Sequence, residues 1–294
     1  MSIAVAISVH DGVVLAADSA STLAAGFVGI PPGTTGPQQV AMNVYNNANK
    51  IANLYKGKPI GCVAYGSGSI GYASISTLLK DFRYRIMNGL EKDFDINSYT
   101  MQEIGRRLSL FLEQHVQSLG PNDPKPTLGL MLAGYSAERS PGEGKALGEV
   151  WSIGLQNGVS SPPQNMRPDS PVGISFAGEA ESLARLLRGF SPRLPQLLQS
   201  VIKPTPSAAE LAHLMGFLGS NLQAPVVFPP MPIQDTIDLA EWLVHTAIMY
   251  SRFSPGAPVV GGPIESAAIT KHEGFKWIRR KHYFQREYNQ EVGG

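Results

Sequence analysis

Charge and cysteine are what this sequence has least of. Only 16% of its 294 residues are charged, and 24 Lys plus Arg against 23 Asp plus Glu leave a formal net charge of +1. A chain so near neutrality carries no electrostatic footprint for nucleic acid or for an anionic membrane surface, and neither is expected as a partner. The single cysteine, Cys62, excludes a disulfide framework and a thiolate zinc cluster, and it suits a reducing cytoplasm. The six histidines, at positions 10, 115, 213, 245, 272 and 282, include no H-E-x-x-H and no i,i+4 pair. No metal site and no cofactor is expected. No apolar run approaches the roughly 18–20 residues of a membrane helix. No G-x-S-x-G elbow offers a hydrolase serine. The start, MSIAVAISVHDGVVLAADS, has no basic leader region, so Met1-Ser2 is read as the beginning of a cytoplasmic chain.

What is abundant is apolar residues, 43% of the chain, with 31 Gly and 23 Pro to punctuate them. That is enough for one large core, and no linker splits the chain, so residues 1–294 are read as a single domain. Ile3–Val9 and Val13–Ala17 flank Asp11-Gly12 and predict a hairpin. Residues 24–46, rich in Gly, Pro, Thr and Asn, predict an exposed loop. Strands are predicted at 50–55, 59–64, 127–135, 147–154, 172–176, 264–270 and 275–279, with a turn at 140–145. Helical periodicity covers residues to about 88 after Gly66-Ser67-Gly68-Ser69, and then 98–119, with Ser98 as N-cap. Further helices are predicted at 179–190, around 208–218 and at 235–251. His115 and His245 fall on helices as surface or packed residues, and Trp151, Trp242 and Trp277 read as core. Blocks of antiparallel strands separated by helices predict an α+β fold with two sheets between helix layers.

Two segments invite a chemical reading that the context does not support. GSGSIG at 66–71 matches G-x-G-x-x-G between a strand and a helix, but no second strand ending in an acidic ribose ligand follows, so a tight turn is the better reading. The run WIRRKHYFQRE from 277 is basic and aromatic, yet on a near-neutral chain it reads as a solvated face or subunit contact.

One constellation is stronger. If Met1 is removed, Ser2 carries both a hydroxyl nucleophile and an α-amine whose reference pKa of about 7.7–8.0 suits a general base. A nearby ammonium such as Lys50 would lower the pKa of that amine, and Asp18, at the end of the second strand, would hold the lysine.

Here the sequence resembles a proteasome β-type subunit, an N-terminal nucleophile hydrolase of the group that includes the bacterial HslV and Anbu relatives. The residues that carry the resemblance are 2–19, Asn49-Lys50-Ile51, Gly66–Ser69, PTLGLMLAGY at 126–135, FAGEAES at 176–182 and GGPIESAAIT at 261–270. The resemblance implies a four-layer αββα sandwich with inserts at about 23–46 and 190–232. It also implies a self-assembling, threonine-type peptidase or amidohydrolase that acts on peptide or protein substrates. In that reading Ser2 is the nucleophile, Lys50 tunes its amine and Asp18 orients Lys50. The backbone N–H near Gly66 (Gly68 if the alignment slips) forms the oxyanion hole, and Ala64 lines a specificity pocket. The partner is a ring or stack of the same subunit; an unfoldase partner is left unspecified. A transpeptidase or ligase of the same fold, and a shell subunit that keeps Met1, remain alternatives.

Departures from the family pattern accompany the match. Serine stands where most members have threonine, Glu179 stands in place of a serine, and the segment Arg252–Gly256 lacks the family's Asp. The apolar helices at 69–88 and 98–119 are expected to present faces for assembly.

Overall fold

The computed structural model describes residues 2–28, 38–137 and 147–282. Met1, the centre of the predicted loop at 29–37, the predicted turn at 140–145 and the end of the basic run beyond 282 lie outside these residues.

The chain opens with the predicted hairpin, β1 (Ile3–Ser8) and β2 (Val13–Ala17), closed by a Val9 N–H to Gly12 carbonyl bond of 2.9 Å. A second hairpin follows, β3 (Ser21–Val28) with β4 (Gln38–Tyr45), and then β5 (Ile51–Asn53), β6 (Ile60–Gly66) and the short pair β7 (Ser69–Ile70) and β8 (Ala73–Ser74). Helices α1 (Ile75–Met87) and α2 (Met101–Gln117) lead to β9 (Leu128–Gly134), β10 (Glu149–Gln156) and the short β11 (Val159–Ser160) and β12 (Gln164–Asn165). Strand β13 (Gly173–Gly178) precedes four helices: α3 (Glu181–Arg188), α4 (Leu194–Val201), α5 (Ala208–Leu222) and α6 (Ile233–Phe253). Strands β14 (Glu265–Thr270) and β15 (Gly274–Arg279) follow.

Two main sheets result, each antiparallel throughout. One has the order β13-β1-β2-β14-β15, so the first hairpin is flanked on both sides by strands from the second half of the chain. The other has the order β11-β10-β9-β6-β5, with β12 also on β10.

The residues of β1 explain why its sequence is apolar without alternation: both of its faces are covered. Ile3, Val5 and Ile7 pack with Val14, Ala16 and the buried faces of α3 and α6 (Leu183, Ile237, Leu243, Val244). The alternate residues Ala4 and Ala6 pack with Leu15, Ala17, Ala267 and Ile269 of their own sheet and with Val63, Met131 and Ala133 of the other. Five of the thirteen buried residues in this second cluster are alanines. A third cluster joins Ile60, Cys62, Leu130 and Leu132 to α1 and α2 through Leu78, Leu79, Phe82, Ile104, Leu108 and Phe111. The fold is therefore mixed, with helices on antiparallel sheets and six helices among the described residues.

Several expectations need correction. Most of the predicted loop at 24–46 is β3 and β4, because backbone pairing from Ser21↔Tyr45 to Val28↔Gln38 offsets its turn-rich composition. Ser98 is not the cap of α2; Thr100 is, accepting from the Glu103 N–H, while Ser98 donates to Asp95. The first helix begins at Ile75, capped by Ser74, because the chain first turns through β7 and β8. Trp242 is 48% exposed on the outer side of α6, whereas Trp151 and Trp277 are partly buried against the cores. His245 is exposed on α6, and His115 packs its ring against Phe111 at 4.5 Å. The apolar faces of α1 and α2 are not free for assembly, since their own sheet covers them. The insert at 190–232 instead holds α4, with no buried residue, and α5, with only Leu211 buried.

Candidate active site

The antiparallel register brings one end of each main sheet to the same place. Ala4 pairs with Ala17, so Asp18 emerges opposite Ile3 just as β2 ends. Lys50 precedes β5, Gly66 ends β6 and Glu265 opens β14 opposite Ala17. A cleft of about 920 Å³ opens here, lined by Ser2, Ala20, Lys50, Ala64, Gly66, Gly68, Tyr72 and Thr127 among others. Its volume lies within the roughly 300–1,000 Å³ typical of ligand clefts.

Asp18 is fully buried and every acceptor position it has is used. Oδ1 accepts from the Ile3 N–H at 3.0 Å and from the Lys50 ammonium at 2.5 Å. Oδ2 accepts from the N–H groups of Ala20 and Gly261, both at 3.0 Å. One carboxylate thus ties the start of β1, the exit of β2, the approach to β14 and the head of Lys50. It also makes the peptide that follows Ser2 share an oxygen with Lys50. Ser2 itself is 4% exposed, and its carbonyl accepts from the Glu179 N–H at 2.7 Å.

Lys50 is 7% exposed. Burial pushes its pKa below the ordinary lysine value, opposed by the charge of Asp18 and by the hydrogen bond to it. Its backbone is held as firmly as its head. The N–H donates to Glu265 Oε2 at 3.0 Å and the carbonyl accepts from Ala64 N–H at 2.8 Å.

Gly66 has φ +93°, and a Cβ there would stand 2.6 Å from the Thr127 carbonyl oxygen, so the turn at the end of β6 requires glycine. Gly178 is under stronger constraint. At φ +97° its Cβ would lie 1.9 Å from the Ser2 carbonyl oxygen.

Ser2, Lys50, Ala64 and Gly66 therefore line one cleft, with Asp18 behind it on the Lys50 ammonium. Glu179 reaches Ser2 through its backbone and is not among the residues lining the cleft. The segment Arg252–Gly256 does not line the cleft either; Arg252 lies over the Phe253 ring at 5.6 Å. Two charged residues beside Lys50 escaped the sequence reading. Glu265 is 1% exposed, and Lys281 sits 3.5 Å from its Oε1. A lone carboxylate inside the apolar strand GGPIESAAIT was a usable signal for Glu265. Lys281 had none, because it lies in a basic run that reads as solvent-facing. Among the described residues no cluster of His, Cys, Asp and Glu has the make-up of a metal site, and no helix is long and apolar enough to cross a membrane.

No family model and no curated protein matches this chain. Among solved structures it is similar to Anbu (ancestral beta-subunit) from Yersinia bercovieri, with a TM-score of 0.51 and 13% identity over 95% of this chain and 88% of that one. At that identity the likeness is one of fold, and it falls within the group that the sequence motifs resemble.

Proposed function

We propose that this chain is an amide-bond hydrolase of the N-terminal nucleophile kind, a peptidase that uses Ser2 once Met1 has been removed. The observation that carries this reading is the sharing of Asp18 Oδ1 between the Ile3 N–H and the Lys50 ammonium beside a cleft that Ser2 lines. Three stacked cores, helix on sheet, sheet on sheet and sheet on helix, support a four-layer αββα sandwich. The fold likeness to a protein titled an ancestral beta-subunit supports self-assembly into a closed or stacked homo-oligomer.

In the mechanism the Ser2 oxygen attacks the substrate carbonyl carbon while the Ser2 α-amine takes the hydroxyl proton. The lysine ammonium nearby favours the neutral, proton-accepting amine before attack. The tetrahedral oxyanion is met by the Gly66 N–H. Ala64 N–H points to Lys50, and strand alternation turns the N–H two residues later to the same edge, past the end of β5 and into the cleft. The amine then passes its proton to the leaving nitrogen, the C–N bond breaks and an ester to Ser2 remains. Water attacks that ester and gives a proton to the amine; the ester C–O bond then breaks, the acid leaves and the amine returns the proton to the Ser2 oxygen.

Intact mass and a peptide-turnover assay test the reading together. Native protein is expected to begin at Ser2, and Ser2→Ala is expected to lose at least roughly a thousandfold in turnover with an unchanged circular dichroism spectrum. A native chain that retains Met1, or comparable turnover by the variant, removes Ser2 from the mechanism. Transfer of the acyl group to an added peptide amine in preference to water would make the enzyme a transpeptidase.

A further inference from the structure

Lys50 belongs to a row of four buried or nearly buried charges of alternating sign, Asp18, Lys50, Glu265 and Lys281, and the mechanism above uses only the first two. Glu265 bridges the two sheets: it opens β14 in one and accepts the Lys50 N–H, at the head of β5, in the other. Its second oxygen faces the Lys281 ammonium at 3.5 Å. Lys281, 15% exposed, donates to the Ala48 carbonyl at 2.6 Å and to the Ser19 hydroxyl, which donates onward to the Pro263 carbonyl. It therefore grips the residue after Asp18 and the residue two before Lys50.

Stability alone does not call for this arrangement. Removing two ions from water costs about as much as their attraction returns, and apolar residues of the same volume commonly serve a fold as well or better. A second ion pair joined to the first through the Lys50 backbone, behind a cleft that Lys50 lines, is the pattern expected where the local field is used.

We propose that Glu265 and Lys281 are positioning residues for Lys50, a second ion pair that fixes the lysine backbone and sets the field at its ammonium. This rests on the reading of Lys50 as the cation beside the Ser2 amine. The two charges act in opposite senses. Lys281 disfavours a proton on Lys50 and Glu265 favours it, on top of the larger effects of burial and of Asp18. Lys281 is itself lowered by burial, against Glu265 and Asp18. The nearby pair of Glu241 on α6 with Arg279 on β15 lies on the alternate face of β14, where Glu241 also accepts the Ser266 hydroxyl. The charges that face Lys50 are thus Asp18 from β2, Glu265 from β14 and Lys281 beyond β15, together with the Ser2 amine once Met1 is gone.

The test is a carbon-13 NMR titration of lysine side chains in the full-length protein, with the Lys50 signal assigned by its loss in Lys50→Arg. The pH profile of peptide turnover is recorded in parallel. Lys281→Met is expected to move the Lys50 titration to higher pH and Glu265→Gln to lower pH, while the double variant returns close to wild type. The alkaline limb of turnover follows the same directions, and Lys281→Arg restores the wild-type profile. Circular dichroism establishes that each variant is folded. Should a single variant fail to fold, the wild-type curves decide: the Lys50 and Lys281 signals, the latter assigned through Lys281→Arg, each carry an inflection at the midpoint of the other. Independent curves, or single variants that shift Lys50 in the same direction or not at all, overturn the proposal. Opposite shifts in a protein without peptide turnover would uphold this charge setting and reject the peptidase reading. Turnover with an unmoved Lys50 titration would do the reverse.

Discussion

At the scale of single residues, Asp18 and Lys50 differ in what their loss costs. Among the described residues the Lys50 ammonium hydrogen-bonds Asp18, so Lys50→Ala removes the cation from the site and leaves the Asp18 carboxylate with three backbone donors. The expected outcome is a loss of turnover of roughly a hundredfold or more, with the fold retained. Asp18→Asn is expected to cost stability as well. An amide nitrogen cannot accept an N–H, so at least one of the Ile3, Ala20 and Gly261 donors loses its acceptor, at about 1–3 kcal/mol beyond the broken ion pair that both variants share. Urea unfolding beside peptide turnover checks both: equal stability of the two variants would mean that Asp18 is not the tie its four hydrogen bonds describe. The contact of this pair was legible in the sequence because an Asp closing an apolar hairpin and a Lys opening an apolar strand are local signals. Glu265 and Lys281 were less legible, since their role depends on a contact between residues 215 apart and on a bond from the last described segment back to Ser19.

At the scale of elements, the strands were readable wherever both faces are covered, as in β1, β2, β6 and β9, because complete burial imposes an uninterrupted apolar run. The hairpin of β3 and β4 was not, because backbone bonds can be satisfied by almost any side chain and its composition resembles a loop. The same limit hid the cap of α2: Ser98 and Thr100 are equally plausible caps by residue type, and only the bond to Glu103 N–H distinguishes them. The junction of β13 and β1 makes a sharper prediction. Gly178 pairs with Ile3 and has no room for a methyl group beside the Ser2 carbonyl, so Gly178→Ala must push the start of β1 outward or give up the end of β13. A destabilisation of about 2–4 kcal/mol and loss of most turnover are expected, read by thermal unfolding and by the peptide assay. Gly216→Ala, at a helical glycine with open space around it, is the matched control and is expected to change neither by more than about 1 kcal/mol.

At the scale of the whole molecule, the case for self-assembly moves to a new surface. The faces of α1 and α2 are spent on the core, while α4 and α5 leave Leu197, Val201, Phe217 and Leu222 exposed, and α6 adds Trp242 and Phe253. These six exposed side chains are the expected place for contact between subunits, and a formal charge of +1 gives subunits little long-range repulsion. Native mass spectrometry at micromolar concentration is expected to find multiples of the 31.5 kDa chain, and charged substitutions at Phe217 and Leu222 are expected to reduce them. A wild-type protein that stays at one chain mass would reject self-assembly. The grip of Lys281 on Ser19 and Ala48 has a further consequence, in time. A ribosome releases residue 2 long before residue 281, and the first hairpin cannot take its place in the sheet until β13 and β14 arrive on either side of it. On the proposed mechanism the nucleophile is therefore translated before the residues that complete its site, and a chain still growing toward Lys281 carries that site unassembled.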